Sequence, residues 1–436
     1  MIYYHIYQFV QGFIMDHKDF YSISEVARKL DLSQKAVRRF VASGELPALK
    51  NGSSYSIQRN SLDKFSEYAA AADIEYDLFG EPVLPEKNKR QKKNKADNVN
   101  WADISKYWAQ PGISSLTYVD LFCGAGGLSK GLEMAGLTGI CGLDWFDEAG
   151  MTYTKNFKHP FINGDIKSAE NKQKFYDTVN AQLNGRRLGV VAGGFPCQGF
   201  SMAGNRIVDD PRNSLYLELI EIVKNLQPEF VLCENVKGLR SMLNGAVERK
   251  IIEDFQKIGY DINVTTLCAA DYYTPQTRER VIFIGNRTGK KNYHPQPILS
   301  ANQYITTGEA IGDLMMHPED ESFNHQPTKH RPDMIERMRQ LKEGESLYKG
   351  YSDAWKKCPW SSPSCTIKEN HGGVNIHPRL PRVLTAREMA RLQSFPDDFI
   401  FMGKKNKQLV QIGNAVPPFL GKAIGLAIRY SIGELE

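Results

Sequence analysis

A chain of 436 residues, 41% hydrophobic and 24% charged, is long enough for two or three domains and has the balance of an ordinary folded protein. It holds no apolar run of the roughly 18 residues a membrane helix needs, and its aromatic start, Met1 to Val10, lacks the basic segment and cleavage site of an export signal, so a cytoplasmic setting is expected. A net charge of +5 permits a nucleic-acid partner without requiring one, and seven cysteines without a C-x-x-C pair argue against a disulfide framework or a zinc site, so no metal is expected.

In chain order, Ser22-Ile-Ser-Glu25 has the spacing of a capping box and predicts a helix through Leu30. Ser33 can cap a second helix over Gln34 to Ser43, closed by Gly44. Ile23, Val26, Ala27 and Leu30 form the inner stripe of the first helix, Val37 and Phe40 that of the second. The outer face of the second carries Lys35, Arg38 and Arg39, a basic surface suited to a DNA major groove. Ala48-Leu-Lys50 and Tyr55-Ser-Ile57 flank Asn51-Gly52, a pair that suits a type I′ hairpin turn. Residues 1 to 75 thus resemble a helix-turn-helix with a wing, of the MerR or excisionase type, the alternative being a helical protein-interaction module.

Residues 76 to 113 turn polar, with Pro82, Pro85 and the basic run Lys87, Lys89, Arg90, Lys92, Lys93 and Lys95, which is linker composition. From residue 114 to 285, apolar runs such as Leu116 to Phe122, Leu188 to Ala192, Phe230 to Cys233 and Val281 to Gly285 alternate with amphipathic stretches. That rhythm predicts an α/β fold with a doubly wound, mostly parallel sheet. Residues 286 to 376 break it with polar, His- and Pro-rich sequence, and residues 377 to 436 resume helical patterning.

Four constellations carry chemistry. Asp120-Leu-Phe-Cys-Gly-Ala-Gly-Gly follows a predicted strand, and Gly124, Gly126 and Gly127 allow a tight turn and close approach to a ligand. Further strands end at Asp144-Trp145, an acid for a ribose diol beside a stacking aromatic, and at Asp165-Ile166. Together they describe an adenosine-cofactor site without separating a nicotinamide dinucleotide from S-adenosylmethionine. Cys197, after a buried strand and Gly193-Gly-Phe-Pro196, stands where a nucleophile can stand, although a buried inert thiol is the commoner case. Glu234, in Glu234-Asn-Val, closes an apolar run, and Gln276-Thr-Arg278-Glu-Arg280 leads another with arginines alternating to one side.

In this order and spacing, with Arg382-Val-Leu-Thr-Ala-Arg-Glu388, Arg391-Leu-Gln-Ser-Phe-Pro396 and Gln411-Ile-Gly-Asn-Ala-Val-Pro417, the chain from about 114 onward resembles the cytosine-C5 DNA methyltransferases of prokaryotic restriction-modification systems. The resemblance implies a Rossmann-like, S-adenosylmethionine-dependent fold with 286 to 376 as target-recognition domain and double-stranded DNA as substrate. It implies a base flipped from the duplex, Cys197 as nucleophile on cytosine C6, Glu234 holding N3 and the exocyclic amine, Arg280 donating to O2 and Arg278 supporting the carboxylate. It places Phe122, Gly124, Gly126, Gly127, Asp144, Trp145, Asp165, Ile166, Pro196, Leu215, Asn414 and Ala415 at the cofactor. Ser201, Arg206 and Thr366 become DNA contacts beside Lys35, Arg38 and Arg39, although Cys365 stands where the family often has proline. A monomeric, nucleoid-associated enzyme is expected, with an N-terminal module that binds its own promoter. An RNA substrate is the competing reading, but the Cys-Phe-Thr tripeptide of the tRNA-methylating branch is absent.

Overall fold

The computed structural model describes residues 19–30, 34–42, 46–51, 54–63, 75–76, 82–83, 99–196, 214–348, 355–368 and 374–436. Ser33, Ser43, Gly44, Gly52, the basic run from Lys87 to Lys95, Cys197, Ser201 and Arg206 lie outside them, as do the side chains of Leu30, Lys35 and Arg39. The chain divides into two compact units, Met1–Lys95 and Ala96–Glu436.

The first unit contains β1 (Phe20–Ser22), α1 (Ile23–Leu30), α2 (Gln34–Ala42), β2 (Ala48–Asn51) and β3 (Ser54–Gln58). The capping box forms: the Glu25 carboxylate accepts from the Ser22 amide at 2.9 Å, and Ser22 Oγ accepts from the Glu25 amide at 3.4 Å. Ile23, Val26, Ala27, Val37 and Phe40 are buried with Tyr21, Leu46, Ile57 and Leu62 in one small core. The hairpin stays in register to Asn51 opposite Ser54, so its two-residue connection starts at Gly52, one position later than the Asn-Gly pair suggested. β1 completes a three-stranded sheet in the order β1-β3-β2, and at three residues it is too short for alternation to reveal it.

The second unit is built on β4 (Thr117–Leu121), α3 (Gly127–Met134), β5 (Thr138–Asp144), α4 (Asp147–Asn156), β6 (Phe161–Asn163), α5 (Ala169–Leu183), β7 (Val190–Gly193), α6 (Ser214–Leu226), β8 (Phe230–Val236), α7 (Ala246–Lys257), β9 (Asp261–Cys268) and β10 (Glu279–Asn286). The seven strands form one sheet in the order β9-β10-β8-β7-β4-β5-β6, parallel throughout except for β10. Successive side chains of a strand point to opposite faces, and here both faces are buried. Val119, Val191, Val231 and Phe283 enter one core with Phe175, Leu219, Val223 and Phe255 of α5, α6 and α7. Tyr118, Val190, Leu232 and Ile282 enter the other with Leu128 and Leu132 of α3 and with Leu420, Ile424 and Ile428 of α12 (Pro418–Ile432).

The remaining helices are α8 (Thr307–Ile311), α9 (Pro332–Gln340), α10 (Ala386–Leu392) and α11 (Lys405–Asn414). A third core joins Ile311, Met338, Cys358, Ile367 and Ile376 to Leu384, Met389, Phe395 and Phe399, and takes in Cys123, Tyr153 and Phe157. The stretch from Asn100 to Trp108, within the sequence read as linker, packs on the same unit: Asn100–Ala102 pairs with Tyr293–Pro295, and Trp108 stacks on Tyr273 at 5.4 Å.

α3 and α12 pack with their backbones almost touching. A Cβ at Gly131 would lie 2.4 Å from the Pro418 carbonyl and 2.6 Å from the Gly421 Cα, and neither atom can swing aside. Gly131→Ala is therefore expected to force the helices apart and destabilise the unit by about 1–3 kcal/mol. A lowered urea midpoint would show it; an unchanged midpoint would mean that the contact yields.

Candidate active site

In a sheet that winds outward in both directions from its first strand, ligands enter the crevice at the carboxyl ends where the order reverses, here between β4 and β7. The chain leaves β4 through Phe122, whose φ of 57° is unusual for a side-chain-bearing residue and marks the loop as held by its surroundings. Asp144, at the end of β5, ties that loop down: Oδ2 accepts from the Gly124 amide at 2.8 Å and Oδ1 from the Phe146 amide at 2.9 Å. Burial raises its pKa. Trp145, the residue after the end of β5, is 73% exposed and lies tilted against Phe146 at 6.5 Å. Asp165 is exposed and accepts from the Lys167 amide at 2.9 Å, while Ile166 is buried. Leu215 is half-buried against the first core, and Pro196 is exposed.

The C-terminal segment closes on the same loop. A Cβ at Gly127 would stand 2.2 Å from the Val416 carbonyl and 3.1 Å from the Ala415 Cβ, so the two chains meet at van der Waals contact only because residue 127 has no side chain. Ala415 is half-buried there and Asn414 exposed. Beneath the loop lies a polar chain that the sequence did not announce. Ser129 Oγ donates to Asp120 Oδ2 at 2.6 Å, shares a hydrogen bond with the Tyr153 hydroxyl at 2.8 Å, and Tyr153 meets His159 Nε2 at 2.8 Å. Burial, with Asp144 adding to it, pushes the Asp120 carboxyl up to about 7, and burial lowers His159 to about 4.

Across the crevice, β7 ends at Gly193 beside β8, which carries Glu234. The Glu234 carboxylate pairs with Arg280 Nε at 2.7 Å, both side chains only 12% exposed. In the β8–β10 register Arg280 faces Val236, so it reaches Glu234 as a diagonal neighbour on the same face. The other carboxylate oxygen lies 3.1 Å from where a Cβ of Gly194 would be, which places it over the strand end leading to Cys197. Asn235 Nδ2 donates to the Phe195 carbonyl at 2.9 Å and so holds that strand end in place.

The expectation for Arg278 is corrected. It does not touch Glu234; its Nη1 donates to the Ile367 carbonyl at 3.0 Å and Nη2 to the Gly413 carbonyl at 3.2 Å. It stands one residue before β10, where its side chain turns into the third core's polar seam, and burial followed by the charge of Arg280 lowers its pKa. Among the described residues Arg280 makes the ion pair with Glu234, and Arg278, hydrogen-bonded elsewhere, acts on that carboxylate only through its charge.

Gln276 and Gln393 were quoted within motifs but given no part in the site, yet they join its pieces. Gln276 Nε2 donates to Gln393 Oε1 at 2.6 Å and to the Leu392 carbonyl at 2.8 Å, while Gln276 Oε1 accepts from the Ile367 amide at 2.8 Å. Gln393 Nε2 donates on to the Ile412 carbonyl at 2.6 Å. Thr366 Oγ1, half-buried, donates to the Thr277 carbonyl at 3.3 Å. Of the other expected DNA contacts, Arg38 is exposed on α2.

The family described as C-5 cytosine-specific DNA methylase matches residues 116–429, and a helix-turn-helix domain matches residues 20–67. Type II methyltransferase M1.HphI of Haemophilus parahaemolyticus is 39% identical over 341 residues, which span 74% of this chain and 89% of that protein. Type II methyltransferase M.BspRI of Lysinibacillus sphaericus is 34% identical over 396 residues, 75% of this chain and 84% of its own. A solved DNA modification methyltransferase encoded within an E. coli prophage superposes with a TM-score of 0.60 at 26% identity, over 73% of this chain and 99% of its own.

Replacing Gln393 by Leu would leave one N–H of the Gln276 amide and the Ile412 carbonyl without partners in the interior. The expected loss is about 2–6 kcal/mol, from roughly 1–3 kcal/mol for each of the two groups left unpaired. A thermal melt checks it; a melting temperature within a degree of the unchanged protein would show that water or a new partner replaces the amide.

Proposed function

The chain belongs to the C-5 cytosine-specific DNA methylase family and is a DNA cytosine-5 methyltransferase, and from that premise we propose the part each side chain plays. The observation that carries the assignment is the Glu234–Arg280 pair, set against Gly194 at the mouth of the strand that leads to Cys197. A target cytosine turned out of the duplex would lie there, an extrusion that costs a few kcal/mol of stacking and pairing. The Cys197 thiolate adds to C6, forming the S–C6 bond and making C5 nucleophilic. Glu234 holds the exocyclic amine and N3, passing a proton to N3 as the adduct forms and taking it back as the S–C6 bond breaks, and Arg280 donates to O2 from the arm of its guanidinium not engaged with Glu234. After methylation the C5 proton is lost and the S–C6 bond breaks, which restores the thiolate. Covalent attack divides one difficult step into easier ones, and the fixed charges act where charge develops. Asn235, through the Phe195 carbonyl, positions the segment that carries the nucleophile.

S-adenosylmethionine supplies the methyl group when bound. The residues present suit it: a Cβ at Gly124 would meet nothing within 4 Å, so the loop leaves room for close approach at that position, Trp145 offers an aromatic face, and Asp120 and Asp144 are buried carboxylates with no cationic side chain in ion-pair distance among the described residues. Phe122, Gly124, Gly126 and Gly127 line the methionine and ribose side, Asp144 accepts from ribose hydroxyls, and Trp145, Asp165, Ile166 and Leu215 bound the adenine. Pro196, Asn414 and Ala415 close the pocket. Ser201, Arg206 and Thr366 are assigned to DNA. The Type II names of the relatives support a role as the modification enzyme of a restriction-modification pair, acting as a monomer on double-stranded DNA. Residues 286 to 376 would read the target sequence.

Cys197→Ser is expected to abolish methyl transfer and the covalent complex with a 5-fluorocytosine duplex, read on a denaturing gel. Retained activity would rule out this mechanism. Glu234→Gln should lower kcat by at least about 100-fold, the scale of losing a charge-stabilising group.

The helix-turn-helix unit, with Arg38 exposed and Lys35 and Arg39 beside it in sequence, is assigned to the promoter of the enzyme's own operon. Removal of residues 1 to 80 should leave methylation intact and abolish promoter retention in a gel-shift assay. Loss of methylation would instead make the unit part of target recognition.

A further inference from the structure

We propose that Asp120 is a counter-charge for the sulfonium of the bound cofactor, and that on binding it passes its proton outward through Ser129, Tyr153 and His159. The inference rests on the reading that S-adenosylmethionine occupies the crevice beside β4 and β5.

Asp120 is 1% exposed, one residue before the end of β4 and the Phe122 to Gly127 loop that follows it, and its carboxylate accepts from the Ser129 hydroxyl. The ionisable groups around it are Tyr118 on its own strand, Cys123 in the loop, Asp144 on β5, Glu133 on α3 and Tyr153 on α4, with His159 beyond. All are neutral or negative when ionised except His159, which burial keeps unprotonated near neutral pH. A carboxyl so placed, with an apparent value of about 7, is divided between its two forms at neutral pH. A fixed positive charge brought into this poorly screened crevice favours the ionised form. The neutral thioether left after methyl transfer does not.

A proton from a fully buried group needs a route, and an unbroken one is present. The three links from Asp120 Oδ2 to His159 Nε2 measure 2.6, 2.8 and 2.8 Å. With Asp120 ionised, His159 donates to Tyr153, Tyr153 to Ser129 and Ser129 to Asp120. With Asp120 protonated the chain runs the other way. On reversal each hydroxyl gives up one proton and receives one, so the net change is a proton moved from Asp120 to His159. The imidazole is a weak base there and releases a proton from Nδ1, which lies 3.8 Å from the one-third-exposed carboxylate of Glu133. The same Asp120 recovers a proton when the product forms, which weakens the hold on product relative to methyl donor.

The test is calorimetric titration of the full chain at pH 7 with S-adenosylmethionine and, separately, with S-adenosylhomocysteine, in two buffers of different ionisation heat. The methyl donor should release about half a proton more than the product, and Asp120→Asn should remove that difference. Equal release from the two ligands in the unchanged protein overturns the counter-charge, and this comparison stands even if the variant fails to fold. Tyr153→Phe keeps the ring and should leave the total release intact while slowing its appearance several-fold in stopped-flow with a pH indicator. An unslowed release overturns the route. Absence of binding heat with both ligands would overturn the cofactor reading itself.

Discussion

The buried amide pair Gln276–Gln393 sets the geometry on which the site depends. Neither side chain reaches water, so each polar end must find a protein partner, and the partners come from Ile367, Leu392 and Ile412, segments far apart in the chain. An interior amide left unpaired costs more than a good hydrogen bond contributes, which makes such a junction intolerant of displacement. The chain also turns on itself at position 276, the Gln276 amide donating to the Thr274 carbonyl at 2.7 Å and the Arg278 amide to the Gln276 carbonyl at 3.0 Å, and this short stretch sets Arg278 on the Ile367 and Gly413 carbonyls just before β10 carries Arg280 to Glu234.

The acids of the crevice divide into two kinds. Glu234 is neutralised by Arg280 at 2.7 Å, and a buried pair of this sort is stable only with close geometry. Asp120 and Asp144 have backbone amides and a hydroxyl instead of a cation, and burial raises both. A carboxyl left in that condition is costly to ionise until a positive ligand arrives. The difference suits a site with two occupants: on one side a base that becomes positive during reaction, held by a pre-neutralised acid, and on the other a cofactor that arrives positive.

Much of this was legible in the sequence because it depends on periodicity and on local hydrogen bonds. Alternating burial of Tyr118 and Val119, or of Val190 and Val191, follows from strands covered on both faces, and the Ser22–Glu25 cap follows from four adjacent residues. Asp144 and Glu234 could be placed because strand ends in such sheets face the crevice. The partners of Arg278 and the joining of Gln276 to Gln393 could not, because they are contacts between segments about 90 to 135 residues apart and each motif shows only its own half. The chain from Asp120 to His159 is hidden for another reason: Ser129 occupies the place of the third glycine in a G-x-G-x-x-G spacing, and that spacing says nothing of a hydroxyl as donor to a buried carboxylate.

The same cores limit how residues 286 to 376 can vary. Tyr153 and Phe157 are the floor under Gly126, with the ring of Phe157 2.3 Å from where a Cβ would stand. Phe157 in turn packs on Phe399 at 5.9 Å, and Phe395 packs on Phe399 at 4.8 Å, in the core that also contains Ile311, Met338 and Ile367. A change in the buried part of that core would therefore reach the cofactor loop through two aromatic contacts. Densely packed interiors transmit strain of this kind rather than absorbing it. Change in this region is consequently accommodated at its exposed side chains, while its buried side chains are constrained by the loop they support.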